Sequence, residues 1–587
     1  MSASLMDDTK RVRIAALLLA AITIFPFLSR FHFLPLPQWW GEITVVCCAA
    51  LAGLLLPGTP SAWPRASIWM MVLALVWALQ PWFLPVLFPG LNQATALAFV
   101  ALSVLALVVI RLRLRWGAEA LITYLCKAIL IGTLLQSLIG LAQVTGLAQV
   151  MGGVLFYDSS HPTTNVFGHI GQRNQYAHYL TWGVIAAAWL LVSGQPARRW
   201  LWGAIAWLSL SIAFAGSRTV LLYAFALAIM AGWWHWRLRV SQSAKMMRVM
   251  WLAVALIVAM QFALPLAEKL LAPLLHGPVA ASGLERLAAN SDGMGARRLA
   301  EWGKAWIVFT EHPGYGFGWY QYASESVRLQ MLPQFANAGV NSGLFANAHN
   351  LVFQLLAEMG LVGTLCAVLG FTWAAWPYFG RRVEPVHLVP LAIMAVTLIH
   401  SMLEYPLWYL YFPAVMVMML ALAPEADEAP IVWLTPLYTV LAIALLVLAA
   451  YGSWRYREMQ GLYYPTTQRQ QQRLEQIIRH EPMFASHALG LLDDVITPTP
   501  QALKTQRHWL ELMAAFRPYP DVLRRKAQME ALAGEQEKAA HTFSLALASF
   551  PTYAPDFLAE LDEGEPAWAR LRAMAQAATD KLPPQYR

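Results

Sequence analysis

Thirteen long apolar stretches divide this chain of 587 residues, and they limit its fold more than any other feature. A helix needs about 20 mostly apolar residues to cross a bilayer, because lipid offers no partner to an unpaired backbone group. The stretches lie at about 14–30, 39–56, 67–88, 94–110, 119–145, 176–193, 200–214, 219–235, 248–265, 349–376, 386–402, 406–422 and 431–452. We therefore predict an all-α, polytopic transmembrane helical bundle of about 12–14 spans, with thirteen as the best count.

Composition excludes the other broad classes of protein. Hydrophobic residues make up 58% of the chain and charged residues 13%, so polar groups cannot cover a soluble globule. The 26 Trp, 25 Phe and 20 Tyr residues exclude disorder, because such side chains need burial or a lipid interface. The net charge of +8 comes from short basic clusters between apolar stretches, which indicates membrane topology and not nucleic-acid binding. The four cysteines lie inside apolar stretches, so no disulfide framework is expected.

Basic residues recur in alternate connections between the apolar stretches, as in membrane proteins whose cytoplasmic loops are positive. These connections carry Arg65, Arg111, Arg113, Arg115, Arg198, Arg199, Arg237, Arg239, Lys245, Arg248, Arg381 and Arg382. With a cytoplasmic N-terminus that is retained as a membrane anchor, two longer segments, 146–175 and 266–348, fall on the far side. An odd number of spans also places the tail on the far side.

Three regions follow from these patterns: N-terminal transmembrane helices over 1–145, a transmembrane core over 146–452, and a soluble helical domain over 453–587. Part of the tail fits the second helix of a tetratricopeptide repeat, where small residues let two helices pack closely. The residues that fit are Gly534, Ala539, Phe543, Ala546 and Pro551. A generic amphipathic helical hairpin is the alternative, because one repeat is visible and a solenoid usually needs about three. Either form suits contact with another protein.

Polar side chains concentrate where the first far-side segment re-enters the membrane, within 161–178. Glycines there allow close approach to the backbone, and neighbouring side chains offer many donors to an anionic or sugar ligand. These side chains are Gln172, Arg173, Asn174 and Gln175. The alternative is a helix cap at the membrane interface, whose polar groups meet lipid headgroups.

Two arginines also stand on the far side. Arg218 lies at a junction between apolar stretches, where its planar guanidinium suits a phosphate group or reaches lipid headgroups. Arg298 stands one helical turn before Trp302. His312 then opens a glycine-rich stretch, 312–318, that cannot remain helical. An amphipathic helix lying on the bilayer explains the tryptophan but not the glycines.

His349 and Asn350 open a long apolar helix at its far-side end. The positive end of a helix favours the neutral imidazole, which can accept a proton, although a helix cap or a satisfied partner is the alternative. Further on, His400 and Glu404 are i,i+4 neighbours if that segment is helical, and a structural pair is the default interpretation. Tyr405 follows at the bend between two stretches.

Several of these motifs together resemble the O-antigen ligase/polymerase superfamily. They are Arg298-x-x-x-Trp302, the His-Pro-Gly-Tyr-Gly-Phe-Gly run at 312–318, and the motif from His349 to Gly360. The Gly-Gln-Arg-Asn-Gln cluster at 171–175 and the Glu-Tyr-Pro turn at 404–406 are similar to bacterial protein O-oligosaccharyltransferases of the PglL type. The resemblance covers about 160–460, with the tail also similar to that subgroup.

The resemblance implies a glycosyltransferase in the bacterial inner membrane with an active site that faces the periplasm. It implies transfer of a glycan from undecaprenyl pyrophosphate to a Ser or Thr hydroxyl of a periplasmic protein such as pilin. Membrane lipids are the remaining partners, and neither a cofactor nor nucleic acid is expected.

The resemblance also implies roles for particular residues. In the family the histidine that matches His349 is essential, and arginines that match Arg218 and Arg298 engage the pyrophosphate. The positions of Gln172 or Gln175, and of Tyr405, are implicated in the protein-glycosylating subgroup. We add as candidate substrate contacts Arg173, Asn174, Glu404, His312 and Asn350.

The chemistry of these side chains is compatible with that reaction. The leaving pyrophosphate is multiply charged, so the two arginines supply charge stabilisation, while His349 takes the proton of the acceptor hydroxyl. We therefore predict one in-line displacement with inversion of configuration. No cluster suited to a divalent ion stands on the far side in the sequence, so we predict metal independence.

Three other functions compete with this one. The nearest is the same chemistry on another acceptor, either ligation of O antigen to lipid A-core or glycan polymerisation; the helical tail favours a protein acceptor. A transporter of lipid-linked glycans is more remote, because the unusual polar residues gather on one side and no inverted repeat is visible. A purely structural membrane scaffold is the last.

Overall fold

Helices form nearly all of the regular structure, as the apolar spacing predicts. A computed structural model describes residues 2–56, 64–194, 198–271, 281–289, 294–336, 343–424, 434–561 and 564–586, and no β-strand occurs among them. Parts of the predicted far-side segment 266–348 lie outside the described residues, namely 272–280, 290–293 and 337–342.

The α-helices are numbered in chain order. The first thirteen are α1 Ser2–Leu28, α2 Trp39–Leu55, α3 Arg65–Phe83, α4 Pro89–Trp116, α5 Ala118–Val144, α6 Leu147–Val150, α7 Arg173–Val192, α8 Arg198–Phe214, α9 Thr219–Leu238, α10 Ser241–Leu271, α11 Gly283–Ala289, α12 Met294–Glu311 and α13 Tyr322–Leu329. The others are α14 Leu351–Ala375, α15 Leu388–Ser401, α16 Tyr411–Ala421, α17 Leu434–Gly461, α18 Gln468–His480, α19 Pro482–Leu491, α20 Ala502–Thr505, α21 Arg507–Phe516, α22 Pro520–Leu532, α23 Gln536–Ser549, α24 Ala554–Ala559 and α25 Ala569–Lys581.

Each of the thirteen apolar stretches contains one of these helices. Across the described ranges, eight helices are long and apolar enough to cross a membrane: α1, α3, α4, α5, α9, α10, α14 and α17. Four more apolar helices are shorter, namely α2, α8, α15 and α16. The chain is therefore a polytopic helical membrane protein, as predicted, while the count of thirteen spans stays a prediction.

Contacts between residues divide the chain into two units. The first unit comprises Met1–Ala74, Leu97–Ser291 and Val368–Trp454, and the second comprises Leu75–Ala96, Asp292–Ala367 and Arg455–Arg587. The domain boundaries at 145 and 452 stay a prediction.

An aromatic cluster forms part of the core of the first unit. The Phe27 ring of α1 stacks on Tyr179 of α7 at 4.1 Å between ring centres, and it meets Tyr411 and Phe412 edge-on. The Tyr179 hydroxyl donates to the backbone oxygen of Thr23 at 2.6 Å. Every one of these rings is almost fully buried, so stacking geometry and one hydrogen bond together fix how α1, α7 and α16 pack.

Small residues let the helices of the tail approach closely within the second unit. Gly534 has φ +81° at the turn between α22 and α23, a left-handed conformation that suits glycine. Ala539 and Ala546 of α23 are fully buried beside Phe543, as the sequence spacing predicts. The similarity to a tetratricopeptide repeat stays a prediction.

Candidate functional site

His349 lies two residues before α14, in a backbone conformation that its neighbours hold in place. Its φ of +53° is in the left-handed region, which costs a non-glycine residue roughly 1–2 kcal/mol. On one side, the N–H of Ala348 donates to Oε1 of the buried Gln354 at 2.6 Å. On the other, Asn350 Oδ1 accepts from the N–H groups of Val352 and Phe353 at 3.0 and 3.2 Å. The cap of α14 is therefore Asn350 and not His349.

The half-buried His349 ring has one nitrogen whose protonation the structure fixes. Nδ1 lies 2.9 Å from the backbone oxygen of Asn347. A carbonyl oxygen only accepts, so Nδ1 carries the proton, and in the neutral ring Nε2 carries the lone pair. This is the tautomer that a proton-accepting histidine needs, with Nε2 as the basic atom.

Helix α12 packs beside His349 in the second unit. The Trp302 ring stacks on Phe353 of α14 at 5.7 Å. The Phe345 ring lies 5.0 Å from the guanidinium of Arg297 and 5.1 Å from the His349 ring. Arg298, which is half-buried, follows Arg297 directly on this helix. The structure therefore brings the part of α12 that carries Arg298 close to the segment around His349, and a shared role of the two residues stays a prediction.

A network of charged side chains lies on the buried face of α12, and its members were not among the predicted site residues. The Glu301 carboxylate pairs with Arg297 at 3.1 Å and with Lys304 at 2.9 Å, and it also accepts from the Tyr322 hydroxyl at 2.8 Å. Burial lowers the pKa of Lys304 to about 8, although Glu301 opposes that shift. Two cations of α12 share one buried carboxylate, so these three side chains together carry a net positive charge on the buried face of the helix. The i, i+4 and i+7 spacing along one face of α12 was the signal that would have found it.

The glycine-rich stretch 312–318 pairs with a break in α14. At Gly360 the backbone turns to φ +61° and ψ −161°, so the helix is interrupted there. Four backbone hydrogen bonds join the two segments: Leu361 N to Pro313 O at 2.8 Å, Val362 N to Gly314 O at 3.1 Å, Phe317 N to Ala357 O at 2.9 Å and Gly318 N to Glu358 O at 3.1 Å. The stretch is therefore not helical, as predicted, and it satisfies the backbone groups that the break exposes.

Glycine is required on both sides of this pairing. A Cβ added at Gly316 would lie 2.4 Å from the carbonyl carbon of Glu358, and one added at Gly360 would lie 2.4 Å from the oxygen of Gly314. His312 stands at the exposed start of the stretch, with its ring 5.3 Å from that of Phe317. The motif therefore has a clear structural role, and a chemical role of His312 stays a prediction.

The first unit brings the polar cluster at the start of α7 together with the turn after α15. Gln172 caps α7, because its Oε1 accepts from the N–H of Gln175 at 2.6 Å, so the capping interpretation holds for this residue. Asn174 Nδ2 donates to Glu404 Oε1 at 3.2 Å. Gln175 is buried, whereas Arg173 and the adjacent Tyr405 are half-buried.

His400 and Glu404 lie on either side of the end of α15, and the structural pair between their side chains stays a prediction. Helix α15 ends at Ser401, and the two residues are linked through the backbone, where the N–H of Glu404 donates to the oxygen of His400 at 2.8 Å. Nδ1 of His400 lies 2.9 Å from Nδ1 of His178 on α7. The sequence analysis did not single out His178, although its i,i+4 spacing from Asn174 places both on one face of α7.

Arg218 lies immediately before α9, half-buried, in a turn that a second arginine supports. Gly216 has φ +61°, and a Cβ there would lie 2.6 Å from the oxygen of Ala281. Arg286 of α11 donates from Nη1 to the oxygen of Gly216 at 3.1 Å. Arg298 and His349 belong to the other unit, and the convergence of Arg218 with them stays a prediction.

Comparison with known proteins gives matches along most of the second half of the chain and part of the first. Residues 203–368 match the model of the family described as O-antigen ligase, and residues 166–191 match that of a protein glycosylation ligase. Residues 388–561 match the C-terminal part of a virulence factor membrane-bound polymerase. A protein of Acinetobacter baylyi described as a general O-oligosaccharyltransferase is 27% identical over 322 residues.

That alignment covers 54% of this chain and 53% of the relative, so the chain spans about half the length of the protein it matches. The matched ranges contain Arg218, Arg298 and His349 within the ligase model and Gln172 to Gln175 within the glycosylation-ligase model. These findings agree with the resemblance that the motifs carry.

Proposed function

The chain resembles protein O-oligosaccharyltransferases of the PglL type within the O-antigen ligase superfamily, and from this we propose that it is a glycosyltransferase of the inner membrane. In this proposal it moves a glycan en bloc from undecaprenyl pyrophosphate to Ser or Thr hydroxyls of periplasmic proteins. The observation that carries the proposal is the placement of His349: its Nδ1 lies against the backbone oxygen of Asn347, and the Phe345 ring lies between it and Arg297 of α12.

In the proposed reaction, the acceptor hydroxyl oxygen attacks the anomeric carbon of the donor sugar. The bond from that carbon to the pyrophosphate oxygen breaks, and its electron pair leaves with the pyrophosphate. The hydroxyl proton passes to Nε2 of His349, for which general base catalysis typically contributes roughly 100- to 10,000-fold in rate. One displacement of this kind inverts the configuration of the sugar.

Arginine side chains are proposed to stabilise the charge that develops on the pyrophosphate. Arg298 is carried on a helix that already has a buried positive excess, because Arg297 and Lys304 share the single carboxylate of Glu301. That excess favours an anion near α12. Arg218 is the second proposed phosphate contact, and Gln172, Arg173, Asn174, Gln175, Glu404 and Tyr405 are proposed to bind glycan or acceptor.

A direct test uses purified protein in detergent with a lipid-linked glycan and a Ser-containing acceptor protein. Mass spectrometry should show a glycan mass on a Ser or Thr peptide, with and without EDTA. His349→Ala should abolish transfer while the carrier lipid still binds, and Arg298→Ala should weaken carrier binding. His541→Ala, which changes an exposed histidine of α23, is the matched control and should retain full turnover. Full turnover by His349→Ala would refute the base assignment, and loss of transfer with EDTA would refute metal independence.

The second candidate function is transfer of the same glycan to lipid A-core or to a growing glycan. The matches to O-antigen ligase and membrane-bound polymerase models favour it. Comparison of periplasmic proteins with and without this gene decides between the acceptors: a glycan on protein supports our proposal, and a change confined to lipopolysaccharide or polymer length supports the alternative.

A further inference from the structure

One buried amide side chain joins the glycine-rich stretch to the broken helix. Gln80 of α3 is 2% exposed, and its Nε2 donates to the backbone oxygens of Tyr315 at 2.8 Å and Glu358 at 2.7 Å. Its Oε1 accepts from the N–H of Trp319 at 3.1 Å and from Nδ2 of Asn92 at 2.8 Å. Both donors and both acceptor positions of a primary amide are therefore in use.

The bond from Gln80 to Glu358 reaches a carbonyl group that has lost its usual helical donor at the break. In an unbroken helix the oxygen of Glu358 would accept from the N–H of Val362, but that N–H donates to Gly314 instead. The Glu358 oxygen accepts from Gly318 and from Gln80. Gln80 thus binds both partners of the pairing: the glycine-rich stretch at Tyr315 and the last turn of α14 before the break at Glu358.

Asn92 keeps the Gln80 side chain in this orientation. It is fully buried on α4, and its Nδ2 also donates to the backbone oxygen of Trp77 at 3.2 Å, one turn before Gln80 on α3. An Asn92 amide that donates to Oε1 fixes which end of the Gln80 amide faces Tyr315 and Glu358. The two side chains therefore act together.

The break makes the His349 end of α14 depend on these contacts. Only residues 350–359 join His349 to the break, so the remainder of α14 does not orient them through continuous helical hydrogen bonding. Their orientation comes from the pairing with 313–318, from Gln80, and from Glu358, whose Oε1 accepts from the N–H of Tyr322 at 2.9 Å.

We propose that Gln80, supported by Asn92, is a positioning residue for the reaction: it holds the broken helix against the glycine-rich stretch and so sets the place of His349. Both residues precede residue 166, where the first family match begins, and the sequence analysis assigned them no role. The inference deepens the proposed function and rests on it.

The test compares Gln80→Leu with Gln136→Leu in the full-length protein. Gln136 is a fully buried glutamine of α5 whose amide atoms make no hydrogen bond among the described residues, so its replacement controls for the loss of a buried amide. If Gln80→Leu does not fold, Gln80→Asn shortens the side chain by one methylene and withdraws the amide from its partners. Hydrogen–deuterium exchange and transfer kinetics are measured on each variant.

We expect Gln80→Leu to speed exchange of the amides of 317–318 and 361–362 by about tenfold or more, because their pairing opens locally. We also expect kcat to fall roughly 10- to 100-fold with little change in KM for the lipid donor, as misplacement of a catalytic group typically produces. Gln136→Leu should change neither quantity.

Unchanged exchange at these amides would overturn the proposal, and so would faster exchange with a kcat equal to that of the Gln136→Leu control. A wild-type protein that transfers no glycan to any acceptor would instead refute the proposed function. In that case the exchange measurement still decides whether Gln80 holds the break.

Discussion

Replacement of Gly360 by alanine tests whether the break in α14 is built into the backbone. The φ of +61° and ψ of −161° at Gly360 belong to a region that is essentially restricted to glycine. A Cβ at this position would also lie 2.4 Å from the oxygen of Gly314 and from the nitrogen of Gly316. Gly360→Ala must therefore either strain the backbone or straighten the helix.

Both responses carry a cost that follows from the hydrogen bonds. An alanine kept in the broken conformation costs about 1–3 kcal/mol in backbone strain before any clash is counted. A straightened helix regains the bonds from Leu361 to Ala357 and from Val362 to Glu358, but the N–H groups of Phe317 and Gly318 then lose their acceptors. Two unsatisfied buried donors cost about 1–3 kcal/mol each, so we expect a destabilisation of about 2–6 kcal/mol in this case.

Thermal unfolding in detergent measures the effect, with Gly203→Ala as the matched control. Gly203 lies within α8 without a positive φ, and nothing would lie within 4 Å of an added Cβ. Alanine there should be neutral or stabilising by up to about 1 kcal/mol, because it is the better helix former. Gly360→Ala should lower the unfolding temperature by on the order of 5–10 °C and reduce transfer activity. Equal unfolding temperatures for the two variants would refute the reasoning.

Three further predictions concern stability and pH. Glu301→Gln leaves two buried cations without their carboxylate and should destabilise the protein by about 3–5 kcal/mol in chemical unfolding. The control Glu537→Gln changes an exposed ion pair and should have no measurable effect. Burial lowers the pKa of His487 to about 4. The buried neutral imidazole therefore contributes fully to stability above its unfolded pKa of about 6.5, and this contribution is lost as the pH falls from about 6.5 to about 4. The contribution is at most about 3 kcal/mol, and unfolding temperatures across this window should fall less steeply for His487→Gln than for the wild type. Asn350→Ala removes the cap of α14 and should lower the free energy of unfolding by about 1 kcal/mol and also lower kcat. The control Thr467→Ala, which removes the cap of α18, should lower the free energy of unfolding by a similar amount and leave kcat unchanged.

The fold class could be predicted from the sequence because membrane helices need long apolar stretches, and each stretch does contain a helix. The spacing in the tail likewise predicted which small residues of α23 are buried. Element ends were less certain at the bend near Glu404, because helix α15 stops at Ser401. A helical spacing predicts neighbouring side chains only as far as the helix continues.

The site could be predicted where its parts are local. His349, Asn350 and the glycine-rich stretch stand out because turns and helix starts require particular residue types. Gln80 did not stand out, since nothing in its own surroundings shows that its amide meets residues more than 230 positions later. Arg297 was missed because Arg298 beside it matched the family motif, although Arg297 forms an ion pair with the buried Glu301.

The matched family segments lack two residues on which our proposed site depends. A fragment that starts near residue 146 lacks both Gln80 and Asn92, and would leave the carbonyls of Tyr315 and Glu358 without the amide that serves them. A graft of the matched region onto another membrane scaffold would therefore need to carry the hairpin of α3 and α4 along with it.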